Sequence, residues 1–159
     1  MAHPDTDRVL HSIIGWMPQV SASPNVRIGT IANTALKIDA FTLYRDGARI
    51  PVAAAEPAFT ATTHDIADPD SAGREAIYLL LAARNGTVTI VKGTDAVLGA
   101  GLDPAITADT VCFARVKINH DGTAIFDATT NPLNAAHLTV AYLDIAEVMD
   151  IGGPGTGKE

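Results

Sequence analysis

The sequence predicts an all-β fold: a compact antiparallel β-sandwich or barrel behind an N-terminal arm that can hold a short helix, with a flexible glycine-rich C-terminal tail. Three observations predict it. Asp46-Gly47 and Asn85-Gly86 each lie between apolar runs, and such pairs supply the positive φ angles that two-residue hairpin turns require. From about Val26 onward, several short strand-like runs are divided by turn signals. Within 159 residues, no composition break or fixed-period repeat divides the chain further. The expected organisation is therefore an arm or anchor over residues 1–30, a β domain over 31–150 and a tail over 151–159.

The arm opens with "DTDRVLHSIIGWMPQVSASPN". Asp5 or Thr6 can cap a short helix whose apolar stripe is Val9, Leu10, Ile13 and Ile14. Gly15 ends it, and Pro18, Ser21, Ser23 and Pro24 mark irregular chain. Trp16 and Met17 sit at that break, and two readings of them stay open. They cover the edge of the chain's own core, or they belong to an extended arm that lays apolar side chains on a partner. In the second reading the contact residues are Ile13, Ile14, Trp16, Met17 and Val20.

The β pattern follows. "AFTLYRDGARIPVAA" reads as a hairpin with one strand to Arg45, a turn at Asp46-Gly47 and a second strand from Ala48; Pro51 confines that second strand to an edge or a bulge. "EAIYLLLAARNGTVTIVKG" repeats the device at Asn85-Gly86. Ile77 to Leu81 are apolar on both parities, which predicts cover on both faces, while Val88 and Ile90 share one face of the partner strand and Thr87 and Thr89 the other. "TVCFARVKINHDGTAIFDA" gives a third hairpin turning at Asn119 to Gly122. Its first strand places Cys112, Ala114, Val116 and Ile118 on one face and Val111, Phe113, Arg115 and Lys117 on the other. "HLTVAYLDIAEV" supplies a last strand, preceded by a short helical turn at Pro132 to Ala136. "TTHDIADPDSAGRE" and "GTDAVLGAGLDPAITAD" read as irregular connections.

Composition excludes several classes. A net charge of −7 argues against binding nucleic acid or anionic membrane, which want clustered Lys and Arg. No signal peptide opens the chain, and no apolar run approaches the roughly 18 residues that span a bilayer, so a soluble protein made in the cytoplasm is expected. Charged residues make up only 18%, against 27 Ala and 17 Thr, and a surface so poor in charge suits a chain that buries much of itself against copies or partners.

The motifs do not assemble chemistry. "GGPGTGKE" has the skeleton of a phosphate loop, but Glu159 replaces the magnesium-binding hydroxyl and no helix follows the Lys. His3, His11, His64, His120 and His137 are scattered without metal-ligand spacing and read as surface or turn residues, and Cys112 reads as a small core residue. Asp65, Asp68 and Asp70 lack the alternating oxygens and glycine of a calcium loop. No Gly-x-Ser-x-Gly elbow is present, and His64 beside Asp65 is no triad. The expectation is a non-enzyme with no cofactor and no metal.

The succession "IDAFTLYRDGARIPVAA", "IYLLLAARNGTVTIVKGTDA" and "VCFARVKINHDGTAIFDATTNPLNAAHLTVAYLD" resembles small structural proteins of tailed-bacteriophage virions. The resemblance covers roughly residues 33–146 and rests on the pattern of strands and turns. It implies a capsid decoration (cement) or head-fibre protein on the outer surface of the phage head. Its partner would be the major capsid protein, its state a homotrimer, and its arm would reach onto neighbouring capsid subunits. A receptor- or glycan-binding module of a tail fibre or spike is the alternative within the same architecture. A small β-sandwich hydrolase and a cellular β-domain are the rivals outside it.

Overall fold

The fold is given by a computed structural model that describes residues 19–31, 33–45, 48–67, 72–144 and 147–148. Among these residues the chain forms eleven strands and no helix. In chain order they are β1 (Gln19–Val20), β2 (Arg27–Ile28), β3 (Leu36–Lys37), β4 (Phe41–Arg45), β5 (Ala48–Val52), β6 (Arg74–Ala83), β7 (Val88–Lys92), β8 (Ala96–Val97), β9 (Thr110–His120), β10 (Leu138–Asp144) and β11 (Glu147–Val148). A four-stranded sheet has the order β11-β1-β4-β5, and a five-stranded sheet has the order β10-β9-β6-β7 with β8 on β6. β2 and β3 pair separately. All pairings are antiparallel except β1 with β11. The sheets do not close into a barrel, since the five-stranded one ends at β10 and β7 with no pairing between them. The expected N-terminal helix and C-terminal tail lie outside the described residues. β1, within the stretch expected as arm, runs between β4 and β11.

The first two hairpins form where turn chemistry predicts. Arg45 pairs with Ala48 across Asp46 and Gly47, which lie outside the described residues. β5 is an edge strand, as Pro51 requires. Thr42 directs its N–H and C=O to Ser21 on the β1 side, so Pro51 opposite it turns its donorless nitrogen to the open edge. The second connection is longer than a two-residue turn. Ala83 pairs with Thr87, the Gly86 N–H donates to the Ala83 carbonyl at 2.9 Å, and only Gly86 has positive φ, at 83°. Arg84, Asn85 and Gly86 thus form a type I turn closed by a left-handed glycine.

β6 is buried from Glu75 to Ala82, so its double cover is as its sequence predicts. β9 departs from simple alternation. Leu80 pairs with Ala114 but Leu81 pairs with Cys112, which leaves Phe113 as an extra residue. This bulge puts Phe113 and Ala114 on the same side, so Val111 and Phe113 join Val116 and Ile118 in the core while Cys112 turns outward with Arg115 and Lys117. The expected facing of Val111, Phe113 and Cys112 is corrected accordingly.

The third hairpin does not form. β9 pairs with β10, not with the segment after Gly122. That segment leaves the sheet. Phe126, fully buried, bridges to Ile66, and the Asp127 carboxylate accepts the N–H groups of Thr129 and Thr130 in a tight turn. Residues from Pro132 onward make two successive hydrogen-bonded turns, Ala135 to Pro132 and Leu138 to Ala135, before β10 begins.

One hydrophobic cluster joins the two larger sheets. It takes Val20, Leu43 and Ile50 from the four-stranded sheet, Tyr78, Leu80, Phe113 and Val116 from the five-stranded one, and Ile66 and Phe126 from connections. Phe41 meets Phe113 at 4.9 Å between ring centroids. Phe59 stands edge-on to Tyr78 and Phe126 at 5.1 and 5.7 Å, contacts worth about 0.5–1.5 kcal/mol each beyond their area.

Candidate functional site

The outward face of the five-stranded sheet carries a second apolar cluster beneath an exposed connection. Ile77, Leu79 and Leu81 of β6 point away from the main core and form a second cluster with Val91 and Cys112. Burial of β6 on this side needs a cover, and the connection between β7 and β9 supplies it. Two glycines permit the close approach. A Cβ at Gly93 would lie 2.4 Å from the Leu102 carbonyl oxygen, and one at Gly101 would lie 2.8 Å from a Glu75 carboxylate oxygen and 3.3 Å from Ile77.

Glu75 pins this cover down. It is buried on β6, accepts the Gly101 N–H at 2.7 Å and pairs with Lys117 Nζ at 2.6 Å. Burial alone pushes its carboxyl up, but hydrogen bonds from Gly99 N–H, Lys117 and Gly101 N–H outweigh that, and the net direction is down. A second pin is Arg115 to Asp103 at 2.6 Å. The outward side of the cover exposes aliphatic residues among charged and polar ones, Asp103 and Asp109 included. Val97, Leu98, Leu102 and Ile106 are 55%, 49%, 74% and 55% exposed, and Leu143 on β10 is 56% exposed. A shallow groove lined by Lys92, Thr94, Leu102 and Pro104 runs beside them. Large aliphatic side chains on a doubly pinned loop form a surface suited to another polypeptide.

The titratable groups hold the fold. His64 is buried, not at the surface as its sequence setting suggests. Its Nδ1 accepts the Thr60 N–H at 2.7 Å, so in the neutral ring Nε2 carries the proton and donates to the Ile90 carbonyl at 3.3 Å. Burial holds its pKa below the ordinary value. Tyr78 donates its hydroxyl to the His64 carbonyl at 2.6 Å. The Asp65 carboxylate accepts the N–H groups of Thr62 and Ala128, both oxygens being engaged, and its carbonyl accepts from Lys92. Asp68 and Asp70 lie outside the described residues. His120 is also buried, again against the surface expectation, with Nδ1 accepting the Gly122 N–H. Cys112 is half-buried, and burial pushes its thiol up to about 11, which favours the protonated form. No group of three or more His, Cys, Asp or Glu placed to hold a metal ion occurs among the described residues.

Of the residues expected to contact a partner, Ile13, Ile14, Trp16 and Met17 lie outside the described residues. Val20 is fully buried in its own chain's core cluster. The outward apolar residues lie in "GTDAVLGAGLDPAITAD", which pattern reading treats only as an irregular connection. The available signal was four large aliphatic residues among glycines and a proline, where loops are ordinarily polar. Comparison with protein-family models, with curated proteins and with solved structures finds no match to this chain.

Proposed function

We propose that this chain is a structural binding module: a capsid decoration (cement) protein of a tailed bacteriophage that sits on the outer surface of the head and bridges neighbouring major capsid subunits. The observation that carries the binding part is the exposure of four large aliphatic residues, Val97, Leu98, Leu102 and Ile106, on a loop pinned through Glu75 and Arg115. The virion part rests on the resemblance of residues 33–146 to small phage structural proteins. In this reading the body is a β-sandwich, its two sheets joined through contacts such as Phe41 to Phe113.

The mechanism is linkage. A shell under pressure from packaged DNA is stabilised by anything that binds the assembled lattice and not the free subunits. Several copies acting together turn weak contacts into firm attachment. No bond is made or broken, and the buried polar groups serve to keep the binding surface rigid.

Attachment to heads lacking the protein tests this. Leu102→Glu with Ile106→Glu changes two exposed positions, so folding is retained while attachment is lost. Trp16→Ala with Met17→Ala tests the arm in the same assay. If both double variants decorate heads at wild-type occupancy, neither surface grips the shell and the proposal fails.

A further inference from the structure

The four ends of the two larger sheets are not treated alike among the described residues. At β5, Pro51 removes an outward donor and Arg49 adds a charge. At β7, the bonds from Gly93 N–H to the Ile77 carbonyl and from Ala83 N–H to the Thr87 carbonyl fix the register, which turns the backbone groups of Val88, Ile90 and Lys92 to the open side; there His64 caps the Ile90 carbonyl. β11 is two residues long. β10 carries none of these devices. It runs seven residues, Leu138 to Asp144, in unbroken register with β9, without a proline or a bulge, and is uncharged up to Leu143. Asp144 at its end is engaged by Ser23 and by the Asn25 N–H.

The register shows which groups are open. The Asp121 N–H donates to the His137 carbonyl at 3.1 Å, so every second residue from His137, namely Thr139, Ala141 and Leu143, bonds β9. Val140 and Tyr142 therefore direct their N–H and C=O groups outward, where none has a partner among the described residues. The Tyr142 hydroxyl is likewise shielded from water with no hydrogen-bond partner among them.

We propose that β10 pairs with β10 of a second copy, antiparallel across a two-fold axis, to give one continuous sheet through both chains. The edge is its own complement. In the register that uses both open residues, Val140 faces Tyr142 of the partner copy, all their outward groups are satisfied, and Ala141 lies on the axis facing its own equivalent. Exposed Leu143 then meets Thr139 of the other copy, and no like charges are opposed. A two-fold contact makes a dimer, not the trimer the resemblance implies, and it stands whether or not the partner surface is a capsid.

The test uses Ala141, which is exposed but lies opposite Lys117 on β9. Circular dichroism and a urea midpoint first establish that each variant keeps the monomer fold. Ala141→Glu, which faces Lys117 with an opposite charge, carries the test if Ala141→Lys does not fold. Ala141→Lys puts like charges face to face and is expected to weaken self-association by about tenfold or more. Ala141→Glu does the same, and an equimolar mixture of the two variants restores a dimer by light scattering. Hydrogen exchange adds a parity check: the Val140 and Tyr142 amides are protected in the wild type and exposed in Ala141→Lys, while Ala141 and Leu143 amides stay protected by β9. A wild-type monomer at all concentrations, an oligomer indifferent to both charges, or fast exchange at Val140 and Tyr142 in the wild type would each overturn the proposal. A wild-type monomer whose Val140 and Tyr142 amides are nonetheless protected would give the edge to a segment of this chain and would equally overturn the proposal.

Discussion

His64 shows how a single side chain can be chemically legible and structurally misleading. Beside Thr62, Thr63 and Asp65 it looks like a solvated turn residue, yet its two nitrogens join the Thr60 N–H to the Ile90 carbonyl beneath an aromatic cluster. No local pattern announces this, because both Ile90 and Tyr78 reach it from another part of the chain. The consequence is a pH dependence of known sign. Burial, with Lys92 adding to it and Asp65 opposing, holds the folded pKa below the ordinary value of about 6.5, so the folded chain binds fewer protons than the unfolded one. His64 thus contributes stability that is fully present above that value and is lost as the pH falls towards its depressed one. Urea unfolding at about pH 7 and about pH 5 should show a falling midpoint in the wild type. The slope should flatten in His64→Asn, whose side-chain oxygen can still accept from Thr60. An unchanged slope in the variant would remove His64 from the account.

At the scale of elements, what could be read was what is local. The Asp-Gly and Asn-Gly hairpins, the edge position of β5 and the double burial of β6 all follow from residues that touch their neighbours in sequence. What could not be read depends on partners far away. The bulge at Phe113 reverses the facing of three residues because β9 must fit Phe113 against Phe41 of the other sheet while keeping Arg115 outward. The third hairpin fails because Phe126 gains more from the core beside Ile66 than from an edge, which leaves β9 free for β10. The second turn is a case of both: Asn85-Gly86 fixes its place, but its three-residue form is held by distant contact. A Cβ at Gly86 would lie 2.3 Å from the Pro51 carbonyl oxygen of β5, on a φ of +83°. Gly86→Ala should therefore cost about 2 kcal/mol or more, from positive φ and from the clash together. Gly99→Ala, at φ +88° with open space around it, should cost only the conformational part, about 1 kcal/mol. Chemical denaturation of both variants checks this, and equal losses would mean the contact with Pro51 carries nothing.

For the whole molecule, the sequence's low charge and abundance of small residues point towards burial against other chains, and two features of the fold are proposed for that role. One is the set of exposed aliphatic residues on the connection between β7 and β9; the other is the edge of β10, open among the described residues. The first left a signal in the sequence, aliphatic residues in a glycine-rich connection. The second did not, since an open strand edge is a property of the assembled structure. The anchors read from the leading residues, Ile13 to Met17, remain a separate proposal that the attachment assay decides. The decoration proposal is tested most directly by electron microscopy of tailed-phage particles purified from the source of the sequence, labelled with an antibody against this chain. The account predicts label in many copies over the head surface; label confined to the tail, or absent from particles altogether, would contradict it.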